Sequence, residues 1–252
     1  MLATIVHGAD NPGPPLVIAH GLFGSARNWG VLARRFSAER PVIAVDMRNH
    51  GQSPRLAPHT YEAMAEDLAE VIAAHGGVAD VLGHSMGGKA AMILALARPG
   101  MVRRLIVADI APVAYGHTQT PLVTALQALD LAGLASRAEA DAALSASVPD
   151  AATRAFLLQS LELRPEPRWL LALDLLGRHM AEILGFPAIE GRFDGPALFL
   201  RGATSEYVQP AHEPQIKALF PKARLESVPD AGHWLHAEQP RAVEAAVNRF
   251  LA

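Results

Sequence analysis

The run Gly83-His84-Ser85-Met86-Gly87-Gly88 is the stretch of this chain best suited to covalent chemistry. It follows the apolar residues Val78 to Leu82 and precedes an Ala-rich segment with helical spacing, which places G-x-S-x-G at a strand-to-helix turn. Such a turn strains the Ser backbone and lifts the hydroxyl above a sheet, while Gly83 and Gly87 leave room because neither has a Cβ. Gly88 lets the following helix pack close to the strand. The hydroxyl also stands at a helix N-terminus, where peptide dipoles favour developing negative charge. A plain Ser N-cap is the competing explanation. The strand, turn and helix around Ser85 favour a nucleophile.

A second segment, His20-Gly21-Leu22-Phe23-Gly24-Ser25, follows the apolar run Leu16 to Ala19. Its backbone N–H groups are placed to face a reacting carbonyl. The N–H of Leu22, with Phe23 as the adjacent alternative, would combine with the N–H of Met86 to hold an oxyanion. His20, at a strand end before Gly, reads as a loop brace and not as a base.

Positioning these turns requires a sheet. The runs Leu16 to Ala19, Pro41 to Val45, Val78 to Leu82, Arg104 to Ala108 and Pro196 to Leu200 are apolar at nearly every residue, as expected for strands covered on both faces. Between them, Trp29 to Phe36, Tyr61 to Ala74, Gly87 to Arg98 and Pro210 to Phe220 have helical spacing and crossover length. Alternating strand and helix predicts an α/β fold with a mostly parallel sheet flanked by helices. A last strand is expected near Arg224 to Val228, a closing helix over Pro240 to Leu251, and an edge strand over Thr4 to His7. Residues 114–193 break the rhythm, with no β-rich run and helical patterns at Pro121 to Leu131, Arg137 to Ser145, Ala151 to Leu161 and Arg168 to Leu184. They read as a helical cap inserted between core segments 1–113 and 194–252, and a connection of that length points to a covered site. Its apolar residues Trp169, Leu170, Leu173, Met180 and Phe186 are the expected pocket-facing members, although ordinary cap core would explain each as well.

Composition narrows the chemistry. The 252 residues carry a net charge of -3 and no cysteine. No positive field exists to hold nucleic acid, and thiolate zinc sites, disulfides and Cys nucleophiles are excluded. The longest apolar helical stretch, Ala90 to Ala97, is too short to cross a bilayer. The N-terminal residues lack a secretory pattern, so a cytoplasmic setting is expected.

The segments His20 to Ser25, Asp46-Met47-Arg48-Asn49-His50-Gly51-Gln52-Ser53, Gly83 to Gly88 and Asp230-Ala231-Gly232-His233-Trp234 together resemble the α/β-hydrolase-fold serine hydrolases. The finer likeness, through His20 to Ser25, Ala108-Asp109-Ile110-Ala111-Pro112-Val113 and Ala231 to Trp234, is to YbfF-type carboxylesterases. The resemblance implies a nucleophile, an acid and a base in that chain order, with Ser85 and His233 as the first and last. His236 is expected on the outer face of the turn or beside the cap, and a His233/His236 metal pair lacks a third ligand. The acid departs from the common pattern, because Ser205 stands where many relatives carry Asp. Asp109 is the favoured replacement, Glu206 the alternative, and Asp174 in the cap a lesser one. The Asp46 to Ser53 block implies a structural loop, since a phosphate or metal reading lacks a P-loop Lys and a second carboxylate. The activity that the resemblance implies is that of a cofactor-free, metal-free serine carboxylesterase for small or short-chain acyl esters or thioesters. A perhydrolase or haloperoxidase and a non-catalytic binding protein are the alternatives.

Overall fold

Seven strands form one sheet in the computed structural model, which describes residues 1–252. They are β1 (Thr4–His7), β2 (Leu16–Ala19), β3 (Val42–Val45), β4 (Ala79–His84), β5 (Val102–Ala108), β8 (Ala197–Gly202) and β9 (Ala223–Val228). Their order is β1-β3-β2-β4-β5-β8-β9, with β1 antiparallel to β3 and every other pair parallel. The chain runs from β2 outward to β3 and then returns to place β4 on the other side of β2. That reversal opens a crevice at the carboxyl ends of β2 and β4, where α/β sheets bind ligands.

Strand periodicity divides the core into two layers. Val17, Ala19, Ile43, Val45, Val81 and Val107 pack with helices α2 (Tyr61–Ala74) and α3 (Met86–Ala97). The alternate residues Leu16, Ile18, Ala44, Leu82 and Ile106 pack with α1 (Gly30–Phe36) and α11 (Pro240–Leu251) on the opposite face. The mostly apolar strands are therefore covered on both sides, as their sequence requires. Helices α9 (Glu213–Leu219) and α10 (Leu235–Glu238) complete the core.

Between β5 and β8 lie α4 (Thr120–Ala128), α5 (Arg137–Leu144), α6 (Ala151–Leu157), α7 (Leu173–Arg178) and α8 (Met180–Leu184). Cap residues Val123, Leu126, Leu157 and Leu176 belong to the same buried cluster as the α2 and α3 layer, so cap and core share apolar interior. One expected helix is replaced. Arg168 to Leu184 is not continuous: Arg168–Trp169 (β7) pairs antiparallel with Leu161–Glu162 (β6), and helix resumes only at Leu173. The physical reason is docking on the core. Ala172 N–H donates to Asn49 O at 2.9 Å, and Arg55 donates to the carbonyls of Trp169 and Leu171 at 2.9 and 3.0 Å. Tertiary hydrogen bonds to an extended backbone override helix propensity here.

Five histidines are buried beneath the carboxyl ends of the strands: His20, His50, His59, His84 and His236. Burial lowers each ring, His20 and His236 to about 4, His50 and His59 to about 3, and His84 well below its ordinary value. These rings take up protons more readily in the unfolded chain, where 6.5 is the reference. Their contribution to stability is complete above that value and is lost as pH falls through it toward the folded values. Urea unfolding should therefore show a midpoint that falls between about pH 6.5 and about pH 4, with net proton uptake on unfolding at about pH 5. A midpoint that stays constant from neutral pH to about pH 5 would contradict this account.

Candidate active site

Ser85 occupies the turn between β4 and α3 with φ 52° and ψ -119°, a conformation that a non-glycine residue adopts only under constraint. The constraint is close packing. A Cβ on Gly87 would lie 2.5 Å from the carbonyl oxygens of Ala19 and His20, one on Gly83 would collide with the Gly87 carbonyl, and one on Gly88 would press on Ile110 at 2.7 Å. Ser85 N–H donates to Ala108 O at 3.0 Å, and its carbonyl accepts from Lys89 N–H at 3.0 Å, fixing the turn at both ends.

The Ser85 hydroxyl donates toward His233 Nε2 at 3.1 Å, and His233 Nδ1–H donates to Asp109 Oδ2 at 2.7 Å. Three strand ends supply these groups: Ser85 follows β4, Asp109 follows β5, and His233 lies in the turn after β9. Asp109 is fully buried, also at positive φ (51°), and its Oδ1 accepts from Gly202 N–H at 2.9 Å. Its Oδ2 also accepts from the Ser205 hydroxyl. Ser205, which stands where many relatives carry Asp, therefore hydrogen-bonds the Asp109 carboxylate. Glu206 is exposed and makes no hydrogen bond or ion pair with His233, and Asp174 instead accepts from Gln127 at 2.7 Å on the cap surface. The His233 ring lies flat on Tyr207, with centroids 3.9 Å apart, and its carbonyl accepts from His84 Nε2–H at 2.8 Å. Burial, reinforced by the neighbouring His236 and His233 rings, keeps His84 neutral.

Above Ser85, the backbone N–H groups of Leu22 and Met86 have no acceptor within the protein, and both residues line the cavity. The alternative donor is engaged elsewhere, because Phe23 N–H donates to His50 Nε2 at 3.2 Å. His20 acts as the loop brace its position implies. Its Nδ1–H donates to Gly21 O at 2.8 Å and its Nε2 accepts from Met47 N–H at 2.9 Å.

The cavity has an empty volume of about 840 Å³ including its open mouth. Its walls include Tyr61, Ile110, Tyr115, Leu122, Phe156, Leu157, Ile183, Leu184, Tyr207 and Trp234. None of the five expected cap residues lines it. Trp169 and Leu173 face a separate shallow depression, Leu170 borders another, and Met180 and Phe186 pack into the apolar interior. The β6/β7 pairing and the break before α7 turn this segment onto the core, and α6, the start of α4 and the end of α8 supply the roof instead. His236 is likewise not on an outer face: it is buried in the cavity wall and stacked on Trp29 at 4.4 Å.

Lys89, one turn along α3 from Ser85, is a buried cation that the motifs did not single out. Its Nζ donates to Leu184 O at 2.9 Å and Gly185 O at 2.5 Å and lies 4.8 Å from the Tyr115 ring centre. With no carboxylate partner, burial lowers its amine to about 7. An isolated lysine in an apolar helix was the available signal.

The fold agrees with comparisons to known proteins. Residues 16–246 match the model of the alpha/beta hydrolase family. The chain is 43% identical over 249 residues to a Mus musculus protein named sn-1-specific diacylglycerol lipase ABHD11, covering 95% of this chain and 81% of that one. It is 38% identical over 239 residues to Esterase YbfF of Escherichia coli K12, covering 94% and 92% of the two chains. A solved structure described as a marine microorganism esterase superposes with a TM-score of 0.94 at 37% identity, over 99% of this chain and 98% of that one. A strained serine on a strand-to-helix elbow, set in a sheet of this order and matched along nearly its whole length, means that the chain belongs to the alpha/beta hydrolase family.

Proposed function

We propose that the protein is a serine carboxylic ester hydrolase for small or short-chain acyl esters, acting through an acyl-enzyme. The observation that carries this reading is the continuous hydrogen-bond relay from Ser85 Oγ through His233 to Asp109, opening into a cavity beside two unpartnered backbone donors. The kinship with proteins named esterase and lipase supports the same reaction class.

Ser85 Oγ attacks the ester carbonyl carbon while its proton passes to His233 Nε2. Negative charge develops on the carbonyl oxygen, where the N–H groups of Leu22 and Met86 receive it. Asp109 holds the ring so that Nε2 faces the serine, and stabilises the imidazolium. Collapse of the intermediate breaks the bond to the leaving alcohol, which takes the proton from Nε2. Water then repeats the sequence in the opposite sense and releases the acid. A cytoplasmic setting belongs to the same proposal, and a chain without cysteine has no disulfide to maintain there.

A second reading of substrate, an acylglycerol with a longer acyl chain, is favoured by the diacylglycerol lipase name carried by four vertebrate relatives. The apolar cavity walls accommodate either. A series of p-nitrophenyl esters from acetyl to palmitoyl, run beside a diacylglycerol, separates them. The proposal expects kcat/KM to be highest for the short esters; an optimum at palmitoyl together with diacylglycerol cleavage would move the assignment to a lipase.

A fluorophosphonate should label the protein once, at Ser85, and Ser85→Ala should abolish both labelling and ester hydrolysis; labelling that survives the substitution would overturn the nucleophile. Asp109→Asn should lower kcat by about 10⁴-fold, as loss of a triad acid does elsewhere. Glu206→Gln should leave kcat unchanged. The reverse ranking of these two variants would transfer the acid role to Glu206.

A further inference from the structure

The backbone of Phe23 is held from two sides by residues outside the relay of Ser85, His233 and Asp109. Its N–H donates to His50 Nε2 at 3.2 Å, and its carbonyl accepts from the Ser160 hydroxyl at 2.9 Å. His50 is fully buried and belongs to the Asp46 to Ser53 block of the core. Ser160 is also buried but belongs to the cap, at the end of the short turn Leu158–Ser160. Phe23 itself has φ 63°, a left-handed conformation that a large side chain keeps only when its surroundings over-determine it.

These two contacts decide which donor faces the cavity. With Phe23 N–H turned to His50 and Gly24 N–H closing the turn on Gly21 O at 3.0 Å, Leu22 N–H is the one left free over Ser85. His50 is suited to accept, because its Nδ1–H donates to Arg48 O at 2.9 Å and so leaves Nε2 with its lone pair. Burial keeps that ring neutral across the physiological range. The block carrying His50 is itself braced. Arg48 makes a two-pronged ion pair with Asp67 at 2.5 and 2.9 Å, and Asp46 accepts from Ala26 N–H at 2.7 Å just beyond the turn. The cap segment that continues from Ser160 docks on this same block. Leu171 bridges to His50, and Leu170 N–H donates to Ser160 O at 2.8 Å. Core brace, cap and oxyanion turn therefore meet at one joint.

We propose that His50 and Ser160 are positioning residues for the oxyanion hole, so that the Leu22 donor is aligned on Ser85 only while the cap is docked. The cap then completes the catalytic geometry as well as covering it. This rests on the ester hydrolase reading, and it absorbs the Asp46 to Ser53 block, which holds no group that reacts.

The test compares Ser160→Ala and Ser160→Thr with the unaltered protein, using a short p-nitrophenyl ester, an arylboronic acid as tetrahedral oxyanion mimic, and thermal melting. Deleting an oxyanion donor outright costs about 10²–10³ in kcat, so a misaligned one should cost roughly tenfold. Ser160→Ala is expected to lose about that factor in kcat and in boronate affinity, with KM within about twofold, and Ser160→Thr to recover most of it. Unchanged kcat, or a loss confined to KM with boronate affinity intact, would overturn the proposal. If Ser160→Ala does not fold, His50→Gln, which keeps an acceptor near the Nε2 position, should outperform His50→Leu by a similar factor, and equal activities would overturn it. A Ser85→Ala control separates the two levels: activity surviving there defeats the hydrolase reading itself, whereas an inactive control with a fully active Ser160→Ala defeats only the positioning role.

Discussion

The sharp turn at Ser85 is the constraint on which the remaining architecture depends. A serine held at φ 52° between a central strand and its helix is compatible with a packed interior only if no side chain projects at positions 83 and 87. The neighbouring strand β2 then approaches so closely that the Ala19 and His20 carbonyls occupy the space a Cβ would need. That closeness has a chemical consequence. It sets the turn after β2, with its free Leu22 N–H, directly beside Ser85.

The two groups linked to Ser85 come from other strand ends of the same sheet, and each is fixed by hydrogen bonds instead of by flexible loops. Asp109 is fully buried, and its carboxylate oxygens are shared among Gly202 N–H, the Ser205 hydroxyl and His233. A buried carboxylate with this many donors is satisfied without a lysine or arginine. Tyr207 covers one face of the His233 ring, and a neutral His84 anchors its carbonyl. Positive φ at Phe23, Ser85, Asp109 and Asp230 marks the turns around this centre, a concentration of backbone strain typical of sites whose geometry is imposed by packing.

Much of this was legible in the chain. Apolar runs named the central strands to within a residue or two, because strands buried on both faces tolerate little polar interruption. Edge strand β1, helix α2 and closing helix α11 matched their expected bounds. The Ser85 turn is readable because its G-x-S-x-G falls between an apolar strand and an Ala-rich helix, a context the five letters alone do not supply. Legibility failed where long-range contacts decide local structure. The Arg168 to Leu184 segment has helical composition, yet carbonyls at 169 and 171 are captured by Arg55, more than a hundred residues earlier. With that helix misplaced, the pocket walls were misassigned too. His236 misled for a related reason: nothing local indicates that Trp29 waits to stack on it. In the sequence Ser205 reads only as a missing acid, since a hydroxyl gives no sign of the carboxylate it will meet.

In the proposed reaction Ser85 carries the acyl group during turnover. The most direct measurement is acid quench of the enzyme during hydrolysis of a short p-nitrophenyl ester, with peptide mass analysis of the quenched protein. One acyl increment is expected, located on Ser85 and absent when His233 is replaced by alanine. Turnover under the same quench with the acyl group on another residue would contradict it.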